Sequence, residues 1–227
     1  FNIYCYCKRY MELNLFVYIL LIFCIPFLLY SNIRIKPRKG FSILFISIIS
    51  SVILLNFSIL TILGTILLTC TLLINNKKIH PYFYGLSFTF LNIEIFEKLN
   101  FGIFDFVINY LFPISLVSGV FSSMMIGHWF LVDPTISKEG MKKIAITSTI
   151  QSLILTPLVF FEFIGQDIEN IFKNVILILF LSTAILSFAS YKSLGEKSYT
   201  GVMASTGLSY LSLIVSLGAS GGLLLLS

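Results

Sequence analysis

The sequence predicts an all-α protein, a polytopic transmembrane helical bundle of about eight spans, with seven as the alternative. Hydrophobic residues make up 57% of the 227 residues and charged residues only 11%, whereas a soluble domain has about 25% charged residues. The charged residues gather in short runs, and the apolar stretches between them are long enough to cross a hydrocarbon core about 30 Å thick. Because every backbone amide in lipid needs an internal partner, these stretches should be helices.

One transmembrane domain, residues 14–227, is expected to follow an N-terminal tail at residues 1–13. The chain opens on Phe1 and its first methionine is Met11, so the native status of residues 1–10 is open. The first apolar stretch lacks a small-residue cleavage site and is followed by basic residues, which is not the pattern of a cleaved signal peptide.

The span boundaries follow from the lengths of the apolar stretches. The stretch 41–74 would be about 50 Å long as one helix, too long for a single crossing. We therefore predict a helical hairpin that turns at Asn56. The segment 104–112 is expected to lie in the interface or to join the fifth span through a kink at Pro113. The predicted spans are 14–31, 41–55, 58–75, 81–96, a long fifth span ending near Val132, 143–163, 174–190 and 199–227.

The basic residues orient this bundle, because cytoplasmic loops carry an excess of Lys and Arg. Eight spans place 11 of the 15 basic residues on the cytoplasmic side. Both termini are then predicted outside, and a bacterial inner membrane is the expected location. The loops account for the net charge of +5, which therefore does not indicate a nucleic-acid partner. The cytoplasmic residues are Arg34, Lys36, Arg38, Lys39, Lys77, Lys78, Lys138, Lys142, Lys143, Lys192 and Lys197, and the others are Lys8, Arg9, Lys98 and Lys173.

The densest group of candidate functional residues ends the fifth span. His128 lies about one turn inside the membrane, where an ionisable residue is a functional hypothesis by default. Imidazole can relay protons, hydrogen-bond a quinone or ligate haem iron. Met124, one turn away on the same helix face, and His80, at the same level of the fourth span, are weaker cofactor candidates. The structural alternative places Trp129 in the interfacial aromatic belt and makes Asp133 a helix stop.

Gln151 and Glu162 are the candidates of the sixth span. Gln151 would place an amide at mid-bilayer. Glu162 stands among phenylalanines, and its burial there would favour a carboxylate that carries protons. The acidic residues expected near the outer face form either a vestibule for cations or a set of solvated charges. They are Glu94, Glu97, Asp105, Glu162, Asp167 and Glu169.

Two stripes of small residues occupy the fifth and eighth spans. Such faces let helices approach closely and hydrogen-bond, so we interpret them as helix contacts, within the chain or with other membrane subunits. The alternative is a polar path lined by hydroxyls, together with Tyr210. The stripes are Ser115, Gly119, Ser123 and Gly127, and Gly201, Ser205, Ser209, Ser212, Ser216 and Ser220.

Two short motifs carry a resemblance to known proteins. The segment 127–134 reads Gly-His-Trp-Phe-Leu-Val-Asp-Pro, and 206–210 reads Thr-Gly-Leu-Ser-Tyr. They resemble Gly-His-Trp-Tyr-Leu-Val-x-Pro and Ala-Thr-Gly-Leu-x-Tyr in uncharacterised bacterial multi-pass membrane proteins. Here Phe130 replaces the Tyr and Ser205 the Ala. The resemblance implies a similar pairing of these helices and no particular substrate or cofactor.

Three functional hypotheses follow. The first is an accessory subunit that handles protons, quinone or another small molecule near an electron-transfer system, with His128 facing a partner in the sixth or eighth span. The second is a proton- or cation-coupled transporter of small molecules that uses Glu162 and Gln151. The third is a structural membrane subunit. No nucleotide-binding, zinc-protease or nucleophile-elbow motif occurs, so the sequence indicates no catalytic residue and no metal site.

Overall fold

The computed structural model describes residues 14–22, 24, 39–73, 80–99, 102–134, 137–166, 168–196 and 198–226, and all regular structure in this part of the chain is helical. The all-α prediction is therefore confirmed. Residues 14–22 form a first helical segment. The helices that follow are α1 (Lys39–Leu55), α2 (Ile59–Leu73), α3 (His80–Leu99), α4 (Phe112–Val132), α5 (Glu139–Phe160), α6 (Asn170–Ser193) and α7 (Tyr199–Leu226).

Four helices of the described chain are long and apolar enough to cross a membrane, and they are α4 with the helical turns before it, α5, α6 and α7. The 22 residues of α5 measure about 33 Å at 1.5 Å per residue, slightly more than a hydrocarbon core. Their outward faces expose large apolar side chains such as Ile178, Ile185 and Ile214. Lipid is the solvent that suits such faces, so the chain is a membrane protein. α1 and α2 are shorter apolar helices.

α1 and α2 form the hairpin that the length of the 41–74 stretch predicts. α1 ends at Leu55 and α2 begins at Ile59. Ser58 caps the second helix, because its hydroxyl oxygen accepts a hydrogen bond from the backbone N–H of Thr61 at 3.1 Å. The turn is thus built by local polar chemistry between two apolar stretches.

The start of α4 departs from regular α geometry. A short turn, Ile103–Asp105, leads into a π-helical segment, Phe106–Leu111, which continues directly into α4. Pro113 lies at the beginning of α4, where a missing backbone N–H is best tolerated. Of the two predicted alternatives for this segment, the structure shows continuation into the helix. At its other end, α4 stops at Val132, directly before the predicted Asp-Pro stop.

Helices α4 to α7 pack in a closed order, in which α4 and α6 each contact both α5 and α7. The Nζ of Lys138 donates hydrogen bonds to the carbonyl oxygens of Glu196 and Ser198, at 3.0 and 3.3 Å. The α4–α5 and α6–α7 connections therefore lie at the same end of the bundle.

Two apolar layers close the interior of this four-helix bundle. The inner layer lies at the end that carries Lys138, and the outer layer lies toward the α5–α6 connection. The inner layer contains Ile126, Phe130, Met141, Ile144, Leu194 and Val202, within a larger core that also includes the first helical segment, α1, α2 and α3. The outer layer contains Leu116, Val120, Leu155, Val159, Ile176, Phe180, Ala219 and Leu223.

Candidate functional site

Buried serines from all four helices meet between the two apolar layers, and we call this group the serine belt. Each member is at most 4% exposed. Because hydroxyls are placed on faces that point inward, the interior of the bundle changes from apolar to polar and back to apolar along its length. The members are Ser123 of α4, Ser148 of α5, Ser187 and Ser190 of α6, and Ser205, Ser209 and Ser212 of α7.

A chain of hydrogen bonds links the belt across α4, α6 and α7. The hydroxyl of Ser190 lies 2.7 Å from that of Ser205 and 3.3 Å from that of Ser209. The hydroxyl of Ser209 in turn lies 3.4 Å from that of Ser123. Hydrogen bonds between membrane helices contribute about 0.6 kcal/mol each on average, so the chain holds the helices in register without fixing them rigidly.

A cavity lies within the belt, at the meeting point of the four helices. Its volume is about 10 Å³. The hydroxyl oxygen of Ser148 is buried beside it, with no hydrogen-bond partner in the described part of the chain. None of the lining side chains is charged, and they are Val120, Ser123, Ala145, Ser148, Ser187, Ser190, Ser209 and Ser212.

Gln151 is buried where α5 meets the start of α4. Its Nε2 donates a hydrogen bond to the carbonyl oxygen of Phe112, at 2.9 Å, and another to the hydroxyl of Ser115. One turn of α5 therefore carries Ser148 at the cavity and Gln151 at the α4 contact. Gln151 therefore lies inside the bundle, and its amide is occupied by helix packing.

His128 lies on the exposed side of α4, whereas Met124 on the same helix is buried. Thirteen residues separate His128 from Ser115, about 20 Å along the helix axis, so His128 does not meet Gln151. Trp129 is half-buried against the core around the inner layer, and Asp133 is buried just after α4. The side chain of His80 lies outside the described residues, and with it the expected approach of the two histidines. A role for His128 in quinone, proton or haem chemistry stays a prediction.

Glu162 does not have the apolar surroundings that its sequence neighbours suggest. It lies in the turn after α5 with a positive φ of 61°, and its side chain is 58% exposed. Its carboxylate is 2.6 Å from the Nζ of Lys173, and Phe161 and Phe163 beside it are exposed as well. The chain turns outward here, so a phenylalanine-rich segment does not enclose the carboxylate.

Glu94 is the acidic residue whose surroundings the sequence did not reveal. It is only 8% exposed and accepts a hydrogen bond from the Nδ2 of Asn56 at 3.1 Å. The same Nδ2 lies 3.2 Å from the hydroxyl of Thr61, which also bonds to Ser58 and to Tyr18. This network ties α3 and the first helical segment to the turn of the hairpin. Glu94 is therefore part of a buried polar network and not one of a set of solvated charges.

Replacing Asn56 by alanine is expected to destabilise the protein by about 1–3 kcal/mol, because the buried carboxylate of Glu94 loses a donor. The measurement is thermal unfolding in detergent. Asn92→Ala is the matched control, since Asn92 is also a half-buried amide but donates to the carbonyl of Phe88 in its own helix. Equal losses for the two variants would contradict this role of Asn56.

The small-residue stripes are buried inside the chain itself, which confirms that they are helix contacts. Ser220 donates to the carbonyl oxygen of Pro113 at 3.0 Å, and Gly127 lies against Thr206. These faces therefore pack within the described part of the chain, and contacts with other membrane subunits stay a prediction. Tyr210 is 44% exposed and lies outside the serine belt.

Sequence reasoning missed Ser148, although a signal for it exists. Ala145, Ser148 and Ser152 follow one another at spacings of three and four residues, which places three small residues on one face of α5. The hydroxyl of Ser152 donates to the carbonyl oxygen of Phe180 at 2.6 Å, so this face packs on α6. Looking for small polar residues at helical spacing in every span would have identified it.

No known protein family matches this chain, and neither the curated proteins nor the solved structures contain a match. The class of the protein therefore comes from its fold and its site. It is a helical membrane protein whose interior carries an uncharged polar belt between two apolar layers. The described residues contain no group of three or more His, Cys, Asp or Glu side chains that could hold a metal ion.

Proposed function

We propose that this protein is a transporter of small, uncharged polar molecules, and that its passage runs through the interior of α4 to α7. The observation that carries the proposal is the serine belt, in which seven buried hydroxyls come from four spanning helices and six of them line a cavity. A bundle that needed only apolar packing would have no reason to place a polar cavity at this depth.

The chemistry of the belt selects the class of solute. A serine hydroxyl donates one hydrogen bond and accepts two, so a ring of serines can replace the water around a hydroxyl or an amide. It offers no charge to compensate an ion, and an uncompensated charge is expensive at this depth. Small polyols, urea-like amides and water are the solutes that fit these groups.

The two apolar layers give the passage a closed state. Between the belt and one end of the bundle lie side chains such as Ile126 and Phe130, and toward the other end lie Leu116 and Phe180, all buried. A polar site closed on both sides is the arrangement that alternating access requires between its two open states. The transport cycle then needs each layer to separate in turn.

Helix adhesion is the competing explanation of the belt, because the same hydroxyl bonds also hold membrane helices together. The two explanations differ in what a bulky apolar residue in the belt would do. A passage would be blocked even where the protein remains folded, whereas adhesion predicts that function follows stability alone.

The test of the transport proposal is solute flux through purified protein in liposomes, measured by light scattering after an osmotic step with glycerol or urea. Ser209→Leu is expected to reduce the protein-dependent flux at least about tenfold, since an increase of about 1.4 kcal/mol in the barrier already lowers a rate tenfold. Ser182→Leu is the control, because Ser182 is on α6 but outside the belt, with its hydroxyl bonded to its own helix. No protein-dependent flux of water, glycerol or urea in the unmodified protein would refute the proposal.

We also propose the finer topology that the charges predict, with eight crossings, both termini outside and insertion in a bacterial inner membrane. Its support is the clustering of basic residues on one side and the meeting of two predicted cytoplasmic connections at Lys138. Cysteine labelling from one side of the membrane at Lys98 and Lys138 tests this topology. Labelling of both sites from the same side would contradict it.

A second candidate function is that of an accessory subunit, and the observation that favours it is the exposure of His128. α4 is the most buried of the four spanning helices, yet it presents an imidazole outward near its end. A quinone or a neighbouring electron-transfer subunit would meet that surface. His128→Ala should then lower binding of a quinone analogue, and unchanged binding would remove this candidate.

A further inference from the structure

We propose that the cavity of the serine belt is a binding site for one water molecule, anchored by the hydroxyl of Ser148. This inference is independent of the transport proposal, because a bound water can be detected and its loss measured whether or not a solute crosses the membrane. It concerns how α5 is joined to the other three helices.

The size of the cavity limits which molecule it can hold. A cavity that holds a water molecule needs a volume of at least about 10–15 Å³ and two to four polar partners. The cavity offers about 10 Å³, which is space for one water and too little for a larger solute in this closed state. Six of its eight lining side chains are serines. An apolar occupant would offer their hydroxyls no hydrogen bonds.

Ser148 is the polar group that needs this water as a hydrogen-bond partner. Its side chain is 2% exposed and its hydroxyl oxygen has no partner among the described residues. The neighbouring Thr149 behaves differently, because its hydroxyl donates to the carbonyl of Ala145 in its own helix at 2.8 Å. A buried hydroxyl without a partner destabilises the fold, and a water in the adjacent cavity would remove that penalty.

The opposite wall of the cavity can complete the coordination of the water. The Ser187 and Ser212 hydroxyls bond to each other at 3.0 Å, and those of Ser123 and Ser209 are a long 3.4 Å apart. Since each hydroxyl oxygen accepts two hydrogen bonds, these serines retain capacity for a water. Within the belt α5 makes no direct hydroxyl bond among the described contacts, so the water is its polar link to α4, α6 and α7.

Three variants test the water by thermal unfolding in detergent, namely Ser148→Ala, Ala145→Val and the double variant. Ala145 lines the cavity, so valine there fills the space of the water. We expect each single variant to lower Tm by about 2–4 °C, the shift typical of losing one modest interaction in a chain of this size. The double variant should lose less than the sum of the two, because it removes the water and its anchor together. Ser182→Ala is the control outside the belt, because the hydroxyl of Ser182 bonds to its own helix.

If the cavity holds no water, the change in Tm caused by Ser148→Ala has the opposite sign. Ser148→Ala would then raise Tm or leave it unchanged, since it removes a buried hydroxyl that has no partner. Losses that simply add in the double variant would show that valine acts by overpacking, and they would also overturn the proposal. A high-resolution experimental map gives a direct answer, as density about 2.7–3.0 Å from the Ser148 Oγ that disappears in Ala145→Val.

Discussion

Replacing Gly127 by valine is expected to disrupt the four-helix bundle. A Cβ at this position would lie 2.5 Å from the Oγ1 of Thr206 on α7 and 2.9 Å from the Cε of Met141 on α5. Thr206 cannot easily turn away, because its hydroxyl donates to the carbonyl of Val202 at 2.8 Å. The helices must then separate at the inner apolar layer. Overpacking of this kind costs about 1–3 kcal/mol, a large part of a typical stability of about 5–15 kcal/mol.

The matched control is Gly207→Val, and the measurement is Tm together with the fraction of monodisperse protein in detergent. Gly207 lies next to Thr206 on α7, but a Cβ there meets nothing within 4 Å. Both substitutions add the same β-branched side chain to a helix, so the difference between them isolates the close approach of α4 and α7. Equal Tm values would show that Gly127 does not mediate that approach.

The helical hairpin shows what a sequence of this kind can predict well. A stretch that would be about 50 Å long as one helix exceeds a hydrocarbon core of about 30 Å and must turn, and Asn56 is the residue whose polarity marks the place. The same reasoning from length and depth locates the stop after Val132. Such predictions succeed because the membrane imposes a known thickness on every helix, whatever its neighbours are.

The candidate functional site shows what cannot be predicted from helix length and depth. Depth along a helix can be predicted from sequence, but the direction in which a side chain points depends on which helices are neighbours. His128 and Ser148 are both at helical positions where a polar residue suggests function, yet the first is exposed and the second is buried. Glu94 was expected near the outer face, in a cation vestibule or as a solvated charge, but it is buried beside the turn of the hairpin. These differences arise from helix pairing, which no single span encodes.

The serine belt was recognised only in part, because a serine hydroxyl in a membrane helix can have different kinds of hydrogen-bond partner. A serine in a membrane helix can bond to its own backbone, to a neighbouring helix or to a bound molecule, and its sequence context is similar in all three cases. Thr149 and Ser148 are adjacent and represent the first and the third of these cases. Only the packing of α5 against its neighbours separates them.

Gln151→Glu is expected to cause the largest loss of stability among substitutions of nearly equal size. The amide of Gln151 donates to two acceptors, the carbonyl of Phe112 and the hydroxyl of Ser115. A carboxylate donates to neither, and it adds a charge at a position that is only 8% exposed. A charge at the centre of a membrane helix costs about 2.5–3.5 kcal/mol by insertion measurements, whereas one interhelical hydrogen bond contributes about 0.6–1.7 kcal/mol.

Thermal unfolding of Gln151→Leu and Gln166→Glu separates the cost of the buried charge from the cost of the lost hydrogen bonds. Gln151→Leu removes the donors without adding charge, so its Tm should fall between those of the unmodified protein and Gln151→Glu. Gln166→Glu makes the same chemical change at an exposed site in the α5–α6 connection and should have little effect. If Gln151→Glu proved as stable as Gln166→Glu, water would have to reach Gln151, and the outer apolar layer would not close the bundle. The size of this one loss therefore measures how dry the interior is between the serine belt and the outer end of the bundle.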